Sequence, residues 1–142
     1  VLEGAAARLA AQHASETEIA AMAELVEAEP TCFGDGPALA ELNQRLHGLL
    51  YLGAHNRYLL RSLDQLAATM ALLPSLLGQG GRAEGAHAEH RTLLAALRLR
   101  DGDAAEAAAR EHARAALRHR LAWLMRTVGV PVAAPGAGAI PS

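Results

Sequence analysis

The sequence predicts an all-α fold, an antiparallel helical bundle of about six helices. Three observations carry this. Apolar residues recur with the 3.6-residue period of a helix along most of the chain, and no segment shows the alternation of a strand. Hydrophobic residues make up 51% of the 142 residues but aromatics only 3%, so the core must be built from leucine and alanine, which favours helices packed on small side chains. The breaks between periodic segments are mostly short, as in a bundle whose sequential helices are neighbours.

The first helix covers about Leu2 to His13. It has no N-terminal cap, and VLEGAAARLAAQHA opens in mid-helix without an initiator methionine, which reads as a piece of a longer protein. Ser15 with Glu18 three residues on forms a capping box and opens a second helix that runs to about Glu29, ahead of Pro30. TCFGDGP reads as a loop. A third helix spans about Ala38 to Leu52 and is ended by Gly53. Asn56 caps a fourth, kinked or broken at Pro74, and GQGG forms the next loop. A fifth helix covers about Ala83 to Leu99, DGD makes a turn, and a long sixth runs from about Ala104 to Val128. These elements form one domain over residues 1–128. Residues 129–142, with VPVAAPGAGAIPS, are too rich in proline, glycine and alanine to fold and are expected to be a disordered tail.

The overall balance excludes several classes of function. Thirteen basic residues, all arginine, stand against 15 acidic ones for a formal charge of -2, which argues against nucleic-acid binding through a basic surface of this chain. Cys32 is the single cysteine, so there is no internal disulfide, and the chain suits a reducing cytosol. No apolar run approaches the roughly 20 residues of a membrane span, and no signal peptide opens the chain. The expected localisation is cytoplasmic, with no membrane partner.

Polar exceptions on apolar helix faces point to the site. At about 100° per residue, Leu39, Asn43, His47 and Leu50 share one side of the third helix with Leu46 close by, while Glu41 and Arg45 point away. His90 lies between Ala86 and Leu94 on the apolar face of the fifth helix. His112 aligns with Ala105, Ala116, His119 and Trp123 on the sixth, with Arg110 and Arg114 on the far side. A lone inward histidine is most simply a core residue bonded to a backbone carbonyl. Three of them change the balance, because burying unsatisfied imidazoles costs on the order of 1–3 kcal/mol each and one shared metal ion removes all those penalties together. Neutral imidazoles suit zinc, nickel, copper or iron(II).

The order and spacing of LEGAAARLAA, LNQRLH, AHNRYLLRSLDQL and AEHRTLLAALRLRDGDAAEAAAREHARAAL resemble the FCD domain, the effector-binding C-terminal domain of FadR-type GntR transcription regulators, over about the first 125 residues. The resemblance implies an antiparallel helical bundle and a divalent metal, zinc or nickel, held by an Asp or Asn and three His. Carried over, those ligands are Asn43, His47, His90 and His112, the same four residues that the helix faces single out. Leu46 stands where the family usually has an aromatic, a packing change. Asn43 stands where many members have Asp. A neutral amide oxygen is a weaker ligand than carboxylate and leaves the ion its full charge, which favours an effector that brings its own carboxylate. The expected partner is therefore a small carboxylate effector, with metal-free binding by protonated imidazoles as the variant.

Three further residues are candidates for contact with the effector: Arg8, which reaches from the first helix; His87, one turn before His90; and His119, two turns after His112. Glu89 reads as a sideways, solvated carboxylate, and Asn56 as a helix cap. The resemblance also implies an N-terminal winged helix-turn-helix domain that this chain lacks, so operator DNA would be contacted through that domain alone, usually in a homodimer. No enzyme activity is expected. The rival readings are a small metalloenzyme of the DinB kind, disfavoured because no Asp or Glu shares the inward faces near the histidines, and a purely structural dimerisation module.

Overall fold

A computed structural model describes residues 1–70 and 72–128. They form six α-helices and one short 3-10 helix, with no strand among the described residues: α1 Leu2–His13, α2 Glu16–Ala28, the 3-10 helix Glu29–Cys32, α3 Gly36–Gly53, α4 Arg57–Met70, α5 Arg82–Arg98 and α6 Gly102–Thr127.

Side-chain caps set most of the starts. The Ser15 hydroxyl accepts from the Glu18 backbone N–H while the Glu18 carboxylate accepts from the Ser15 backbone, the reciprocal box that the sequence predicts. Asp35 and Asp101 accept from the backbone N–H groups of Ala38 and Ala104 and so start α3 and α6 two residues earlier than periodicity suggests. Asn56 accepts from the N–H groups of Tyr58 and Leu59, as expected of a cap. Two boundaries differ. The loop predicted over TCFGDGP begins with Thr31 and Cys32 still in the 3-10 helix, because Pro30 fits the first turn of a helix, where its missing N–H has no partner to lose. α4 ends at Met70, so Pro74 lies beyond the helix and does not kink it. The tail expected over 129–142 lies outside the described residues.

The core is built on small side chains. Ala6, Ala7, Ala10 and Ala11 of α1 are fully buried, and α1 packs most extensively on α6, whose Ala105 and Ala109 are also buried. Helices whose contact faces are alanine approach closely. Gly53 serves the same purpose on α3, since a Cβ there would come within 3.1 Å of the Ala14 Cβ. Met22 and Val26 of α2, Leu50 of α3 and Leu97 of α5 fill the space between α2, α3 and α5 and have almost no exposure. Full burial of each such side chain contributes about 1.5–3 kcal/mol. The buried polar side chains are Glu29 on the 3-10 helix, Arg82 and His90 on α5 and His112 on α6.

Candidate functional site

Three helices bring three imidazoles together. One nitrogen from each of His47 on α3, His90 on α5 and His112 on α6 lies within 4.8 Å of the other two. The ring centroids stand 4.7 Å apart for His90 and His112, 5.1 Å for His47 and His112, and 5.8 Å for His47 and His90. Leu39, Leu46 and Leu50 are buried on the face of α3 that carries His47, and Ala86, Leu93, Leu94 and Leu97 on that of α5 around His90. The amphipathic faces therefore deliver the imidazoles.

Each imidazole is held from behind by a carboxylate. His47 Nδ1 lies 2.5 Å from Glu3 Oε1, His90 Nδ1 2.5 Å from Glu29 Oε1, and His112 Nδ1 2.7 Å from Glu89 Oε2. Burial alone raises the Glu3 carboxyl, but His47 and the Tyr51 hydroxyl, which donates at 2.9 Å, hold it down at about 2. Burial also raises Glu29 and Glu89, and both end below the ordinary carboxylate value, Glu29 through His90 and His87, Glu89 through Arg82 and His112. Ionised carboxylates only accept hydrogen bonds, so each Nδ1 carries a proton toward its glutamate. His47 Nε2 and His90 Nε2 are buried without a hydrogen-bond partner. Burial, then the neighbouring His47 and His90, lowers His112 to about 4 against the pull of Glu89, so it is neutral at pH 7.

Buried imidazole nitrogens without a hydrogen-bond partner are costly unless something occupies the space between them. A divalent cation fits this donor set. Imidazoles oriented by carboxylates at the second nitrogen are the usual support of a histidine-bound metal. Asn43, one turn before His47, has its Oδ1 buried and unpartnered, and it lines a cavity of about 310 Å³ with His112. Glu3, Met70, Ser75, Ala113 and Arg120 also line a larger cleft of about 1030 Å³, so the two spaces adjoin.

Several placements depart from the sequence expectations. Glu89 is not a solvated carboxylate: it grips Arg82 through two bonds of 2.8 and 2.6 Å and turns its second oxygen to His112. The expectation that no acid stands near the histidines also fails, because Glu3, Glu29 and Glu89 reach them from other faces or other elements. Arg8 pairs with Asp103 and Glu106 and lines neither cavity. His87 packs edge-on against Phe33 and shares Glu29 at 2.8 Å, behind His90 and outside the three-imidazole cluster. His119 lines the smaller cavity with its Nε2 buried and unpartnered. Sequence reasoning misses Glu3, Glu29, Tyr51 and Arg82. For Tyr51 a signal existed, since it follows His47 by one turn of the same helix.

A helical bundle with a buried cluster of oriented imidazoles opening on a cavity is a ligand-binding architecture. The FCD domain model matches residues 1–115, and the chain belongs to that family, the regulatory effector-sensing domain of GntR-type transcription regulators. A search of curated proteins finds no match. Among the described residues no helix is long and apolar enough to cross a membrane.

Proposed function

We propose that this chain is the metal-dependent effector domain of a FadR-type GntR regulator, acting in the cytoplasm as part of a homodimer. A divalent ion, zinc or nickel, would be held by Asn43, His47, His90 and His112. The observation that carries this reading is the set of three imidazoles whose Nδ1 atoms all face carboxylates and which bring one nitrogen each within 4.8 Å of one another. The ion would supply a positive centre for a small organic acid entering from the cavity beside His112 and Asn43. The three carboxylates nearest the imidazoles are engaged at Nδ1, which leaves them as orienting groups and disfavours the hydrolytic metalloenzyme.

Control of DNA binding would pass through a winged helix-turn-helix domain joined to α1. Glu3, in the first turn of α1, is bonded to His47, so occupancy of the centre would bear on the start of that helix. To shift operator binding, the effector must favour one packing of the helices over the other by a few kcal/mol. The test is calorimetry with a panel of small carboxylates on the zinc-loaded and the chelator-stripped chain. Binding that requires the metal supports the proposal. Carboxylate binding that is indifferent to chelation, or absent from both forms, contradicts it.

A further inference from the structure

The smaller cavity has a second polar end. α6 is continuous from Gly102 to Thr127, so His112 and His119, seven residues apart, lie on one face about 10 Å from each other along the axis. His112 borders the imidazole cluster. Two turns on, His119 and Arg120 line the same cavity. His119 Nε2 is buried with no hydrogen-bond partner. The Arg120 guanidinium donates to the Pro74 carbonyl at 2.9 Å and pairs with no carboxylate among the described residues. Arg82 on the same wall is already matched to Glu89, Leu76, Leu77 and Ala116 are apolar, and the one carboxylate that lines the cavity, Glu3, is engaged by His47 and Tyr51. Gly80, with φ of 58°, brings the loop before α5 against the His119 ring. A buried, unpartnered imidazole nitrogen beside an arginine lacking an acidic partner offers an anion subsite.

We infer that the effector is a dicarboxylate, with one carboxylate at the three-imidazole end of the cavity and the other held by His119 and Arg120. The inference rests on the proposed function and adds the shape and charge of the ligand. A monocarboxylate leaves the distal donors unpaired, whereas a diacid of sufficient length engages both ends. Burial first, then Arg82, Arg126 and Arg120, disfavours protonation of His119, so Arg120 would provide the charge and the Nε2–H tautomer of His119 would donate to the ligand.

The experiment compares succinate, glutarate and adipate with their monomethyl esters on the zinc-loaded chain by calorimetry. The best diacid is expected to bind roughly tenfold or more tightly than its own ester. Arg120→Gln should abolish that gap while leaving zinc stoichiometry and ester affinity unchanged, and Arg120→Lys should keep part of it. His119→Gln, which does not touch the Pro74 contact, should narrow the gap in the same direction and carries the test if Arg120→Gln loses helicity. Esters that bind as well as diacids, or a gap that survives both substitutions, overturn the dicarboxylate while leaving the metal-dependent effector site standing. Zinc-loaded protein that binds neither diacids nor esters overturns both.

Discussion

At the scale of single residues, Asn43 and the three glutamates behind the imidazoles would decide the chemistry of the proposed metal centre. In the proposed metal site an amide in place of a carboxylate would remove one negative charge from the ligand set, and Glu3 and Glu29 would restore negative charge one bond further out, at Nδ1 of His47 and His90. Glu89 contributes less, being matched by Arg82. Asn43→Asp is therefore expected to raise zinc affinity by roughly tenfold or more, read by competition with a chromophoric chelator, and to weaken carboxylate binding because the ion is then better neutralised. Glu29→Gln and Glu3→Gln should each lower metal affinity by about 10- to 100-fold with helicity retained. Unchanged affinity in both would show that the carboxylates do not orient the ligands. The imidazoles were legible in the sequence because each sits on a periodic face of its own helix. The glutamates were not, because Glu29 meets His90 from 61 residues away, and Glu89 reaches His112 only through the α5–α6 packing.

At the scale of elements, local chemistry sets the helix ends and tertiary contact sets what they carry. The Ser15 box is expected to be worth about 1 kcal/mol, so Ser15→Ala should lower the urea midpoint by that equivalent without changing the slope. The hydrogen bonds from Ser15, and then His55, hold the Glu18 carboxyl below 4.5. A depressed carboxylate contributes stability above the unfolded value and loses it as pH falls through the folded one. The acid limb of stability below about pH 4.5 should accordingly be shallower in Ser15→Ala than in the parent. Leu50→Ala, at a position 1% exposed between α2, α3 and α5, should cost about 2–5 kcal/mol. Five of the helices emerged from periodicity within two residues at either end. The 3-10 helix did not, because Glu29–Cys32 has no period to display, yet it is the element that carries Glu29 to His87 and His90.

At the scale of the whole molecule, the alanine-rich contact of α1 with α6 and the leucine-rich layer of α2, α3 and α5 meet around a polar centre that the hydrophobic core alone does not satisfy. The all-α class and the FCD family were legible from composition and from the order of short motifs, whereas the cavity was not, since its wall combines α3, α6 and the segment of Ser75 to Leu77. The central claim is that the three imidazoles and Asn43 form a metal site. Because a ligand that binds only the folded chain stabilises it by mass action, zinc or nickel should raise the thermal midpoint and chelation should reverse the rise. The most direct measurement is elemental analysis of the purified chain beside His47→Ala, His90→Ala and His112→Ala variants. One divalent ion per chain in the parent, and loss of that ion in each variant, is the predicted result; a parent that carries no stoichiometric metal and takes up neither zinc nor nickel on titration contradicts it.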